Sequence, residues 1–180
     1  MGNAKGAVLL GPIKFLRKQR ERATALLPSA LHRYLVEDVR LSSWYPESDF
    51  IALVRAAAQL APGDPKQTIE QMGALGAAQH SEVYGDLMRT LRSNSSVFAL
   101  WTAQHDTGKL RPSFDSATSA RVELIGFDST SPEHCLLTCG YIRGTLVANG
   151  YEDVTVHEAR CVLRGDACCE WRMTWKGLDG

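Results

Sequence analysis

The sequence predicts an α+β fold, with a helical N-terminal half followed by strands and one long helix packed with them. Three observations carry this. Apolar residues before residue 100 recur at helical spacing, the period shortens to alternation after Trp101, and a strong helix start at Ser131-Pro132-Glu133 falls between two strand pairs.

The first helical run passes through Ile13, Phe15 and Leu16 into the basic stretch Lys14 to Arg22 and stops at Leu26-Leu27-Pro28. Ser29 caps a short helix through Tyr34, and Ser42-Ser43-Trp44-Tyr45-Pro46 reads as a connector. Phe50, Leu53, Val54 and Ala57 mark one apolar helix face, broken by Ala61-Pro62-Gly63-Asp64-Pro65. Ile69, Met72 and Leu75 start another stripe, which Val83, Leu87 and Leu91 continue toward Ser93-Asn94-Ser95-Ser96.

Beyond Trp101, Leu110–Phe114 and Arg121–Ile125 read as strands around the polar turn Asp115 to Ser119. Ser131 is a cap residue, Pro132 sits at the first helical position and Glu133 complements the dipole. Cys135, Cys139, Ile142 and Leu146 share one face of that helix, and Asn149-Gly150 ends it. Val154–Leu163 and Cys169–Trp175 form a hairpin about Gly165-Asp166. One domain over 1–180 is expected, mainly helical over 1–100, with sheet, helix and cysteine hairpin over 101–180.

Lys+Arg and Asp+Glu number 20 each, so the formal charge is zero, and nucleic-acid binding loses its usual basic signature. No apolar run is long enough for a membrane span. The apolar run Ala7-Val8-Leu9-Leu10 precedes the basic stretch, the wrong order for a secretory signal. A reducing, cytoplasmic location is therefore expected, in which five cysteines favour metal binding or buried thiols over disulfides.

Centring the hairpin near Gly165 sets Cys161 opposite Cys169, Arg160 opposite Glu170 and Glu158 opposite Arg172. Alternation puts Cys161, Cys169, Trp171 and Met173 on one face and Glu158 on the other, so Glu158 reaches the thiols only if a bulge re-aims it. His157 is an alternative fourth ligand, and Cys168 is an extra thiol beside Cys169. Spacing alone leaves metal ligation, buried thiols and a redox pair open.

The pattern Cys135-x4-Gly140-Tyr141-x2-Gly144, Glu158-x2-Cys161 and Gly165-Asp166-x2-Cys169 resembles the 4-vinyl-reductase-type ligand-binding domain. It is most similar to the version that senses phenols in bacterial enhancer-binding transcription activators. The resemblance implies a structural zinc held by three cysteines and a glutamate, which match Cys135, Glu158, Cys161 and Cys169. Leu26-Leu27-Pro28, Ser42-Ser43-Trp44-Tyr45-Pro46, Phe50, Trp101 and Asp106-Thr107-Gly108 resemble single-domain proteins of myxobacterial type that carry a divergent form of the domain. The implied fold is a helical part, then an antiparallel sheet with the long helix against it, enclosing a small-molecule chamber. The activators' ATPase and DNA-binding domains do not follow here, so signalling would run through a partner protein or a homodimer.

His105-Asp106 followed by Pro112-Ser113-Phe114 faintly resembles the proximal-histidine segment of haem nitric-oxide/oxygen sensors. Their Tyr-x-Ser-x-Arg propionate clamp is not matched, because Tyr141-Ile142-Arg143 has the wrong register, so haem is not expected. Gly-x-Ser-x-Gly and phosphate-loop motifs are absent and carboxylates are scattered, so no enzyme is expected. Phe98, Trp101, Phe114, Tyr141 and Trp171 are candidate walls for an apolar or aromatic ligand, or else core filling. The favoured expectation is a small-molecule-binding sensory module with a structural zinc bracing the hairpin. The alternatives are an interaction scaffold resembling subunits of vesicle-tethering complexes, with Phe50, Leu53 and Val54 as its dimer face, or a haem-based gas sensor. A tetrapyrrole-handling factor follows from the family name alone.

Overall fold

Leu9, Ile13 and Leu16 are fully buried at helical spacing, and they anchor the first helix of a computed structural model that describes residues 2–89 and 101–176, the side chains of 80–89 excepted. Helix α1 spans Gly6–Lys18 and α2 spans Arg20–Leu26, with the chain breaking between them at Gln19 rather than running unbroken to Pro28. A 3₁₀ helix covers Ser29–Leu35. Two three-residue strands, β1 (Asn3–Lys5) and β2 (Trp44–Pro46), pair antiparallel where a plain connector was expected. Helix α3 (Glu47–Leu60) buries Phe50, Leu53, Val54 and Ala57 on the predicted face, inside the helical core rather than on an open dimer surface. Helix α4 spans Pro65–Arg89, and residues 101–104 are again helical. Phe98, Leu91 and the serines at 93, 95 and 96 lie outside the described residues.

The second half forms a four-stranded antiparallel sheet in the order β3-β4-β6-β5. Its strands are β3 (Lys109–Ser116), β4 (Ser119–Ile125), β5 (Glu152–Arg160) and β6 (Cys169–Lys176). Helix α5 (Pro132–Ala148) crosses from β4 to β5, capped at Ser131, whose hydroxyl accepts from the His134 N–H at 3.3 Å. It packs Cys139, Ile142 and Leu146 against Val122, Leu124, Trp171 and Met173 of the sheet. The fold is the α+β arrangement expected, and a chamber lies among its helices.

The hairpin keeps the expected register at Arg160 alone of the three expected pairs, and Cys161 lies past the end of β5, ahead of a 3₁₀ turn over Val162–Arg164. Arg160 pairs with Glu170, but Glu158 pairs with Trp171 and His157 with Arg172. A bulge between Glu158 and Arg160 causes the shift. Gly165 closes the turn with φ 92°, a left-handed conformation suited to glycine.

α4 and α5 approach so closely that side chains are excluded between them. A Cβ at Gly140 would collide with the Glu70 carbonyl, and one at Gly144 would sit 2.8 Å from Ala74 Cα. Arg143 of α5 bonds Glu70 of α4 at 2.9 Å beside this seam. Replacing Gly140 with alanine is therefore expected to destabilise the fold by about 1–3 kcal/mol or more. Gly76→Ala, where a Cβ meets nothing within 4 Å, is expected to stabilise α4 by up to about 1 kcal/mol. Urea denaturation of the two variants beside the parent chain measures both.

Candidate functional site

The first turn of α5 carries two neighbours that serve different places, since successive helical residues cannot share a face. His134 turns toward α3 and the chamber, and Cys135 turns toward the sheet.

On the chamber side, Glu47 opens α3 with a carboxylate that is 1 % exposed. One oxygen bonds His105 Nδ1 at 2.5 Å and the other bonds His134 Nε2 at 3.0 Å. Burial pushes this carboxyl up, but hydrogen bonds from His105 and His134 outweigh it and hold the group at about 2. His105 is itself buried, not the surface or capping residue its helix-end position suggests. Its ring stacks on Trp101 with centroids 4.2 Å apart, and Phe127 meets it edge-on. β1 holds the same segment: Ala4 bridges to His105, and Asn3 N donates to the Asp106 carboxylate at 2.6 Å.

His105 and His134 line an apolar chamber of about 520 Å³ between α1, α4 and α5, within the usual range for small-ligand sites. Val8, Phe15, Met72 and Leu137 supply apolar wall, with Lys14 and Lys18 among its cations. Of the candidate wall residues, Trp101 and Tyr141 line this chamber. Phe114 is exposed on β3, and Trp171 is buried between α5 and the sheet, its indole N–H donating to the Cys135 carbonyl at 3.3 Å.

On the sheet side, Cys135, Glu158, Cys161 and Cys169 each present a ligand atom, all within 4.8 Å of one another. Cys161 Sγ lies 3.7 Å from both Cys135 Sγ and Cys169 Sγ. The bulge turns Glu158 to this side, where Oε2 accepts from Arg164 at 2.9 Å and Oε1 is buried without a hydrogen bond. Burial pushes the Cys135 and Cys169 thiols up, Cys169 to about 11, and for Cys135 the Glu158 carboxylate adds to the rise. His157 is exposed beyond the cluster, and Cys168 turns to Glu123 instead, with Sγ 3.8 Å from the carboxylate.

Sequence reading missed Glu47 and His134. Glu47 follows Pro46 at a helix start, where an acidic residue needs no partner beyond the dipole. His134 lies among cap residues. Only tertiary structure shows that both are buried and joined.

No family model matches the chain, and no curated protein matches it. Solved structures do match over nearly its whole length. An H-NOX protein from S. oneidensis in the Fe(II) ligation state, a triple mutant, has a TM-score of 0.68 at 13 % identity, covering 98 % of each chain. A mutant of T. Tengcongensis H-NOX has a TM-score of 0.67 at 13 % identity, covering 98 % of this chain and 100 % of that one. An oxygen-binding H-NOX domain related to soluble guanylate cyclases has a TM-score of 0.62 at 11 % identity, covering 96 % and 95 %. At such identities the likeness is one of fold, and the fold is that of H-NOX domains.

These findings correct four expectations. The resemblance to 4-vinyl-reductase-type domains does not stand, because the structural likeness is to H-NOX domains. The reading of the protein as a zinc-braced sensory module falls with it. The expectation against haem is overturned, since these neighbours are described by Fe(II) and oxygen ligation and by heme distortion. The thiol cluster does not by itself identify zinc as the cofactor. Among the described residues, no helix is long and apolar enough to cross a membrane.

The Glu47 carboxyl lies below its ordinary value of 4.5, so its stabilisation is complete above that pH and drains away as pH falls toward about 2. Glu47→Gln is expected to remove roughly 3 kcal/mol at neutral pH, and the gap between variant and parent should close with acidification. Denaturant titrations of the haem-free protein at a series of pH values measure this.

Proposed function

We propose that this chain is a haem-based gas-binding sensor domain, not an enzyme, with the porphyrin in the chamber between α1, α4 and α5. The observation that carries the reading is His105, a buried imidazole on the chamber wall held at Nδ1 by a carboxylate. That leaves Nε2 as the nitrogen able to bind iron, and a carboxylate behind a metal-ligating histidine is the usual supporting arrangement. Fold likeness supports the reading as well, through neighbours described in Fe(II), Fe(II)NO and oxygen complexes.

The residues present fit the group. The walls are apolar, the volume suits a cofactor, and Lys14 and Lys18 offer cations for its carboxylates. Arg143 takes no part, being bonded to Glu70 and to the Val156 carbonyl, in keeping with the unmatched propionate clamp. When bound, haem supplies an iron that takes a diatomic gas. The protein's share is to hold the iron through His105, keep water out with Trp101 and Phe127 packed about that ring, and pass the change to a partner protein or a second copy.

The four residues Cys135, Glu158, Cys161 and Cys169 we propose as a second, cation-holding site. Three buried thiols around an unpartnered carboxylate oxygen leave that oxygen without a donor, and a thiophilic cation would satisfy carboxylate and sulfurs together.

Two measurements test these sites. Protein reconstituted with haem is expected to show a Soret band that His105→Gly abolishes and added imidazole restores; no band in the parent chain overturns the haem reading. Elemental analysis of protein purified without chelator is expected to find one thiophilic metal ion per chain, lost in Cys161→Ser. A metal-free parent chain overturns the second site.

A further inference from the structure

The carboxylate behind His105 does more than satisfy one ring. Burying a charge among apolar neighbours is costly unless every lone pair is used, and Glu47 uses both oxygens on imidazoles from different parts of the chain. An ionised carboxylate only accepts hydrogen bonds. The ring nitrogens facing it therefore carry the protons: Nδ1 of His105 and Nε2 of His134. Ser131 Oγ lies 3.1 Å from the remaining nitrogen of His134, so the row Ser131, His134, Glu47, His105 is continuous. The backbone at Glu47 is fixed too, since its N–H donates to the Gly2 carbonyl at 3.0 Å. Trp101, which stacks on His105, is held by its own indole N–H donating to the Thr107 carbonyl at 3.0 Å.

We propose that Glu47 is a positioning residue which locks His105 as the Nδ1–H tautomer, with Nε2 unprotonated, and yokes that ring through His134 to the first turn of α5. The bearing of this lock on iron rests on the haem reading above; the tautomer itself does not. A carboxylate on Nδ1 makes the imidazole a stronger donor through Nε2. The yoke means that a shift of His105 pulls on α5 at the residue next to Cys135.

The experiment has an arm that needs no haem. Nitrogen-15 histidine spectra of the full haem-free chain, near neutral pH, are expected to show His105 protonated at Nδ1 and bare at Nε2. His105 protonated at Nε2 in the parent chain overturns the proposal without any variant. Glu47→Gln is expected to relax this preference and Glu47→Asp to retain it in part; an unchanged tautomer in a folded Glu47→Gln chain also overturns it. In haem-loaded ferrous protein, the iron–histidine stretching band in resonance Raman spectra is expected to shift down in Glu47→Gln. An unmoved band overturns the iron half of the proposal. A parent chain that takes up no haem overturns the chamber reading and that half together, while the tautomer spectra still decide the positioning half.

Discussion

Everything in this structure that bears on a site depends on how near α5 lies to α4. Helices ordinarily pack with axes 8–10 Å apart, a spacing set by the side chains between them. Here Gly73, Gly140 and Gly144 leave none, and the backbones meet. The closeness fixes the height and rotation of α5, and rotation decides which of its residues see the chamber and which see the sheet. Were α5 turned by one residue, Cys135 would take the place of His134 and both sites would be lost. The ion pair Arg143–Glu70 and the bond from Arg143 to the Val156 carbonyl pin the same rotation from helix and strand sides.

The two sites are opposite solutions to burying polar atoms. Around Glu47 every hydrogen-bonding demand is met inside the protein, with two ring donors for two carboxylate oxygens. In the thiol cluster the demand is left open, since Glu158 Oε1 has no donor and the thiols can offer it little. A closed network rigidifies, whereas an open one is completed from outside. They sit on consecutive residues of one helix.

The sequence made the second half of the fold legible because its signals are local. Ser131-Pro132-Glu133 announces a capped helix, alternation marks Arg121–Ile125, and Gly165 announces a turn, and each is found as expected. The approach of Cys161 to Cys169 follows from hairpin spacing, whereas Cys135 and Glu158 were named beside them only through a resemblance, and a bulge is what brings Glu158 round. What spacing could not deliver was the family: the same three thiols and glutamate sit in an H-NOX fold rather than a 4-vinyl-reductase one. Glu47, His134 and the burial of His105 were invisible because they depend on contacts 58 and 87 residues apart in the chain. Strands β1 and β2 escaped for another reason, being three residues long and too short to show a period.

The start of the chain is held from several directions. Gly2 N donates to Ser129 Oγ at 2.8 Å, its carbonyl receives the Glu47 N–H, and a Cβ at this position would press on Thr107 Oγ1 at 2.8 Å. An affinity tag or fluorescent reporter joined ahead of Gly2 therefore emerges against the loop that follows His105, and its bulk is felt there. Labels meant to be silent belong instead on the exposed turn beside Gly63, though not at Gly63 itself, whose φ of 97° suits glycine. A label at the leading end, by the same geometry, is a handle on the histidine.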